Sequence, residues 1–565
     1  MARKTKRSAK AVLALAVSLA TGLYAGCTGT ITEPGARDGE VGPGGTPASK
    51  DQDAVAPAAR VSRLTHQQWQ NSVRDLFGIP ASTPIEAELP QDPKTAGYLF
   101  DNDAQSLSVD QALWGAYQRG ADAVVELVVG DAALFAKLLP PDTGDPDQRA
   151  RTLIDELGSR AYRRPLAQAE KDELFEVYQG AAALFSGVPA LEAGVRLVLQ
   201  ALLQSPFFLY RIESSTKVVN GVVPLDGYEM ASRLSYTLLD TMPDAKLFAA
   251  AAAGELSSVA NVEAQARRLL DDPRAANVIA AFHHALFDGD KIESIKPLPA
   301  LFPDVSTELA AAAIEENERF VRDQFAQGGG FRELLTSTTT FVNADLAQIY
   351  GLSGGFGPSF QKVELDPKKR RGIFTQIGFL AANATSADPD PIHRGAYLAR
   401  RIACLPVSAP PEAVEPLPAA AEGTTNRENV ASYTEKEGSV CAGCHKDHIN
   451  PFGFAFESYD AVGAWRDQDN GHPVDSSASP LIDEIPTSVS GAVELAEKLA
   501  ASPGVHECYA KHWLEYAFGR KRTVGDQKTI RDVGELSRSG GSIKDVIAKL
   551  TVSRAFMNRS KEELP

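Results

Sequence analysis

The sequence predicts a mainly α-helical, multi-domain body joined by long irregular connections. Three observations carry that reading. The chain has 565 residues, 44% of them hydrophobic and 23% charged, which is a globular composition long enough for several domains at roughly 150 residues each. Helical spacing with recognisable caps recurs along the chain, whereas strand-like alternation is scarce. No repeat of fixed period is visible. The net charge of −16 argues against nucleic acid as a partner, because neutralising phosphates requires a basic face.

Residues 1–26 read as an export signal, with Arg3, Lys4, Lys6, Arg7 and Lys10 ahead of an apolar stretch over 11–25. That stretch is too short for an ordinary membrane anchor, and nothing later approaches the ~20 apolar residues a spanning helix needs. Leu23-Tyr24-Ala25-Gly26-Cys27 resembles a bacterial lipobox, although Tyr24 stands where Leu is usual. Cys27 is then the expected lipidation site, and ordinary secretion with an incidental cysteine is the alternative. Residues 27–60 are rich in Gly, Pro, Ala and Asp and read as a flexible tether. Thr28 rather than Asp after the cysteine permits onward sorting. The expected location is the periplasmic side of a bacterial envelope, as an outer-membrane lipoprotein held by its lipid anchor.

The folded part opens with Thr65 as a cap and Gln68 three positions on, a capping box that Leu64 and Trp69 can close as a staple. Trp69, Val73, Leu76 and Phe77 share one face, and Gly78 and Pro80 end the run. A segment from Ala161 continues as a helix that aligns Glu170, Leu174 and Tyr178. The largely apolar 190–210 stretch is broken at Ser205-Pro206. Asp226 and Glu229 start another helix, buried along Met230, Leu234 and Leu238. Residues 258–285, 306–326 and 504–520 also read as helices, and 217–224 is the best hairpin candidate. The long irregular connections fall at 406–420 and 467–490.

Cys441-Ala442-Gly443-Cys444-His445 is C-x-x-C-H, the attachment sequence of a c-type haem. On one helical turn both thiols reach the two vinyl groups of a porphyrin. His445 is then held beneath the iron as the metal ligand. Covalently attached haem c (iron) is therefore the expected cofactor, bound by Cys441, Cys444 and His445. A disulfide or redox pair, or zinc held with His445, His448 or His472, would use the same residues. No second C-x-x-C accompanies the first. For a second axial ligand the sequence offers His448, His472, His506, His512 or Met557, or an open position. Phe452, Phe454, Phe456, Tyr459 and Trp465 could wall a haem edge, and Arg466 could pair with a propionate; an aromatic core with an exposed arginine is the alternative. In Asp388-Pro389-Asp390-Pro391-Ile392-His393-Arg394 the two carboxylates, imidazole and guanidinium suggest a substrate or propionate site, or else simple helix capping.

Five cysteines, less one lipidated and two bound to haem, leave Cys404 and Cys508 in an oxidising compartment. A disulfide between them is expected, two buried free thiols being the alternative. In the chain-entropy model, closing a loop of this size contributes roughly 4–5 kcal/mol.

In combination these segments resemble the planctomycete-type multi-domain proteins, built from five successive domains of unknown function numbered 1587, 1595, 1592, 1588 and 1585. The residues that carry the resemblance include Arg63-Leu64-Thr65, Val73 to Gly78, Tyr162-Arg163-Arg164-Pro165-Leu166 and Ser205 to Arg211. Further matches are Leu225-Asp226 with Ala231 to Tyr236, Arg371 to Gln376, Pro391-Ile392-His393-Arg394-Gly395 and Trp513 to Arg520. The expected division is a signal peptide over 1–26, the tether over 27–60, and helical domains over 61–130, 145–213, 220–350, 366–468 and 485–560, in the family's order. The resemblance implies an architecture and a cytochrome-like segment without an established reaction. Many members carry a separate cytochrome c domain. Here C-x-x-C-H occurs once, so a haem is expected in the 1588-like, c-type haem-like C-terminal region. The function expected is an envelope-anchored c-type haem protein, acting in electron transfer with a redox partner protein or as part of an oxidoreductase. A surface-tethered binding or scaffold lipoprotein, with a structural C-x-x-C-H region, is the alternative.

Overall fold

The computed structural model describes residues 55–563, apart from 86, 143, 186, 409–416 and 419. The signal segment, Cys27 and the tether up to residue 54 lie outside the described residues. Helices dominate, and the β-structure among the described residues is five two-stranded antiparallel ribbons. No described helix is long and apolar enough to cross a membrane.

Local signals hold where they rest on neighbouring residues. Helix His66–Phe77 starts at Thr65 with the complete capping box and stops at Gly78 in the left-handed conformation. Ser205 ends helix Ala190–Gln204 and caps the short turn Pro206–Leu209. Helix Gly227–Leu239 has its capping box from Asp226 and Glu229. Two expected elements differ. Ala161 and Tyr162 close helix Pro146–Tyr162, and the next helix starts only at Gln168. The stretch expected as one helix over 258–285 is two, Val259–Leu270 and Ala275–Leu286, because Pro273 in the intervening turn cannot donate a backbone hydrogen bond.

The hairpin expected over 217–224 is only half formed. Asn220 and Gly221 make the tight turn at positive φ, 51° and 80°, and Val219 bridges Val222. The strand Val222–Pro224, however, pairs with Asn558–Ser560 near the chain's end. Val222 and Val223 are buried while Val218 and Val219 are exposed, so only the second arm has apolar side chains to lay against the core. The 467–490 connection is more ordered than expected, carrying the small ribbons Gln468–Asp469 with His472–Pro473 and Leu481–Ile482 with Ile485–Pro486.

Apolar side chains gather in three cores. One is built from the 64–242 stretch around Trp69, Tyr117, Leu199 and Phe208. A larger one combines segments from Tyr98 to Phe556 and is centred on aromatic stacks, Phe282 on Trp513 at 3.6 Å and Phe331 on Tyr509 at 4.0 Å. A smaller one joins Ile292, Leu346, Ile377 and Val462. Phe452, Phe456 and Tyr459, which follow the C-x-x-C-H motif, belong to the larger core. Each such ring contributes roughly 2 kcal/mol by leaving water, so the motif is anchored from its C-terminal side.

Several arginines of the family-like motifs are buried backbone clamps. Arg163 donates to the carbonyls of Phe207, Phe208 and Tyr210. Arg233 pairs with Glu213 at 2.6 Å and donates to Phe556 O. A planar fork of five donors suits this role, since one side chain satisfies several carbonyls that secondary structure leaves over.

Candidate haem-attachment site

The site is built on a helical path that changes pitch. Helix Asn426–Thr434 starts at a capping box of Thr425 and Glu428, and Ser439 Oγ then accepts from Ala442 N to begin the next turn. Cys441 O accepts hydrogen bonds from the N–H groups of both Cys444 and His445. The two cysteines therefore lie three residues apart on one turn, with the imidazole directly after them. Both thiols are free, Cys441 exposed and Cys444 half-buried, and the preceding Val440 is 86% exposed. The disulfide alternative for this pair is not formed. Among the described residues, no group of three potential metal ligands includes either cysteine.

From His445 to Ile449 the helix widens to a π turn, with Asn450 N donating to His445 O. Pro451, next in line, has no N–H for a regular α-helical bond. The wider turn brings Asn450 beneath His445, where Asn450 Oδ1 lies 3.0 Å from His445 Nδ1. Asn450 Nδ2 donates to Thr434 Oγ1 and to Glu435 Oε1, each at 2.8 Å. The Glu435 carboxylate can only accept, which orients the amide so that its oxygen faces the histidine. His445 Nδ1 must then carry a proton, which in the neutral ring leaves the lone pair on Nε2. Thr434 in turn donates to Val430 O. Asn450 is wholly buried, so this shell holds the imidazole in one orientation. Asn450 lies in the run read from the sequence, but its role was not legible there; the available signal was Asn-Pro five positions after the motif histidine.

Neighbouring elements fix this segment tightly. Helix Pro391–Tyr397 crosses Asn450–Phe454 with two glycines in contact. A Cβ on Gly395 would lie 2.0 Å from Ile449 O, and one on Gly453 would lie 1.8 Å from Pro391 O. Arg394, 1% exposed, donates to the carbonyls of Leu380, Phe456, Tyr459 and Asp460. Burial pulls its pKa down to about 10, against the pull of the nearby Glu457 and Asp390 carboxylates.

Within the 388–394 cluster Asp390 is thus a helix cap, and Arg394 is a backbone clamp. Asp390 accepts from His393 N and contacts the His393 ring. Burial opposes ionisation of Asp390, yet the His393 hydrogen bond carries its carboxyl below the usual range. The aromatic run is core: Phe452, Phe454, Phe456 and Tyr459 are buried, and Trp465 lies edge-on to Tyr459. Arg466 is engaged by Glu457 at 2.9 Å and Asp469 at 2.8 Å. Burial nevertheless raises the Glu457 carboxyl to about 7, with Arg466 and Arg394 opposing.

Two proposed axial ligands are committed elsewhere. His506 is buried between Ser537 Oγ at 2.7 Å and Ala500 O at 3.0 Å. His512 Nε2 donates to Arg401 O at 2.9 Å. His448 lies three residues after His445 on the same π turn. Met557 packs against the large core, and His472 is exposed. The expected disulfide joins Cys404 and Cys508, with Cα atoms 5.7 Å apart.

Five family profiles match the chain in succession, each described as a protein of unknown function. They are DUF1587 over 62–130, DUF1595 over 149–213, DUF1592 over 225–352, DUF1588 over 370–469 and DUF1585 over 486–556. Residues 441–445 fall within the DUF1588 match. No curated protein and no solved structure matches the chain.

Proposed function

The chain carries, in order, the five domains of the planctomycete-type multi-domain family, and within that architecture we propose an envelope-anchored c-type haem protein that serves electron transfer or forms part of an oxidoreductase. The observation that carries this reading is the histidine. Its Nδ1–H is already spent on buried Asn450, its Nε2 is left to ligate, and two free thiols precede it on the same turn. Metal-bound histidines almost always have their other ring nitrogen tied in this way.

In this reading Cys441 and Cys444 supply the sulfurs of two thioethers, and His445 Nε2 is the proximal ligand. Asn450 fixes the tautomer and orientation of the ring. Glu435, hydrogen-bonded to the same amide, polarises the chain toward the histidine. A haem bound here supplies one-electron chemistry. Its exposed attachment face suits exchange with a redox partner protein at the surface.

The test is to mature the full chain in an export-competent host that attaches c-type haem. Wild type should give a haem stain that survives denaturing electrophoresis and a c-type reduced α-band. Cys441→Ala with Cys444→Ala should abolish covalent haem, and His445→Ala should lower incorporation and alter the Soret band. Wild-type protein carrying stoichiometric zinc and no haem would overturn the proposal.

A further inference from the structure

The Cys404–Cys508 bridge has surroundings that an inert structural disulfide does not need. Lys511 Nζ points at Cys404 Sγ at 3.5 Å, and among the described residues no carboxylate forms an ion pair with it. His512 Nε2 lies 3.6 Å from Cys508 Sγ. A neutral disulfide sulfur is a weak acceptor, whereas a thiolate is a strong one. Burial depresses the Lys511 pKa, with Glu515 opposing and Arg522 adding to the effect. Its ammonium thus has only the more distant Glu515 carboxylate to stabilise it. Access is also uneven: Cys404 is half-buried and Cys508 is buried.

The backbone at Cys404 points the same way. Residues Leu398–Ile402 form a π turn, and Leu405 N then donates to Ala399 O at 2.7 Å. That closing geometry normally takes Gly in the left-handed region, yet Cys404 occupies it with φ 51°. A cysteine in a position that favours glycine is held there by its surroundings, the bridge included.

We infer that Cys404–Cys508 is an exchange-active disulfide, reduced reversibly by a dithiol partner that attacks Cys404. A partner thiolate bonds to Cys404 Sγ and breaks the S–S bond, so Cys508 leaves as a thiolate beside His512. The partner's second thiol then attacks its own bonded sulfur and expels the Cys404 thiolate beside Lys511. Two electrons and two protons pass from the dithiol to the bridge, leaving two protein thiols and an oxidised partner. The departing Cys404 sulfur thus has an N–H donor in Lys511, while Cys508, whose neighbour His512 already donates to Arg401 O, takes up its proton facing that same carbonyl at 3.3 Å. The reduced bridge would also open the long loop that contains the C-x-x-C-H motif. This inference is independent of the haem.

The test equilibrates the full mature chain against graded ratios of reduced and oxidised dithiothreitol, with acid quenching, alkylation and peptide mapping at Cys404 and Cys508. The expected result is a reversible two-electron transition in protein whose helical circular dichroism is intact. Lys511→Met should shift the midpoint at least tenfold toward stronger reductant, about 30 mV for such a couple, and Lys511→Arg should restore most of it. A glutathione mixed disulfide trapped on wild type should map to Cys404. A bridge that opens only on unfolding, a Lys511→Met midpoint equal to wild type in folded protein, or trapping at Cys508 would each overturn the inference.

Discussion

His445 and Asn450 meet across a π turn, the ring Nδ1–H of the first donating to the side-chain oxygen of the second at 3.0 Å. The five-residue spacing gives the contact its meaning. It places a buried amide under a motif that reaches the surface at Cys441, and that amide is held from behind by Thr434 and Glu435. A surface histidine kept only for solubility would need no such support.

If His445 ligates iron, Asn450→Ala should raise the midpoint potential, because an untied imidazole is a poorer donor and stabilises the oxidised metal less. Displacement of His445 by added ligands should become easier by roughly tenfold, at the low end for such outer-shell changes. Glu435→Gln should move the potential the same way by less. Potentiometric titration checks both variants, and unchanged potentials would remove His445 from the iron.

Gly453→Ala should destabilise the fold by about 2 kcal/mol, because its Cβ would sit 1.8 Å from Pro391 O and one of two crossing backbones must move. Gly395→Ala strains the same crossing, so the double variant should cost less than the sum of the singles. Chemical denaturation with a two-state probe of the C-terminal core measures this.

Arg394→Met preserves much of the buried volume but removes the donor from the carbonyls of Leu380 and Tyr459, while those of Phe456 and Asp460 keep a backbone N–H each. A loss of about 3 kcal/mol is expected, from carbonyls left without donors in the core. Arg394→Lys should recover only part of it, since an ammonium lacks the planar fork. Denaturant midpoints of the three proteins give the ranking.

Glu316 is wholly buried, accepts from Thr340 at 2.7 Å and Tyr350 at 2.6 Å, and is raised by burial to about 7 from 4.5. Its folded pKa lies above its unfolded one, so the folded state holds the proton more tightly. Its contribution is fully present below about pH 4.5 and is lost as pH rises to about 7, on the order of 3 kcal/mol. Glu316→Gln should remove that component, gaining stability relative to wild type at pH 8 compared with pH 4.5. Thermal unfolding of both proteins across this window is the measurement, and parallel curves would refute it.

If Cys27 is acylated, Cys27→Ser should move the protein from the membrane fraction to the soluble periplasm or block its maturation, because diacylglyceryl and amide-linked chains together suffice for stable anchoring. Fractionation of wild type and variant decides between a lipoprotein and ordinary secretion.

The sequence alone determined the mainly helical class, the caps at Thr65 and Asp226, the break at Ser205-Pro206 and the single turn that presents Cys441 and Cys444. Each of these depends on partners within about five positions, where capping and helical spacing act without the rest of the chain. The pairing of Cys404 with Cys508 was also legible, by elimination among five cysteines rather than by geometry. Tertiary structure decided the rest. Whether Arg394 served a substrate or four carbonyls depended on residues up to 66 positions away. The aromatic run from Phe452 went to the core, and His506 and His512 were taken by distant hydroxyl and carbonyl groups. Lys511 acquired its place through a sulfur 107 residues distant. Burial and the satisfaction of buried polar groups are set by which surfaces meet, and no local pattern of residues specifies that encounter.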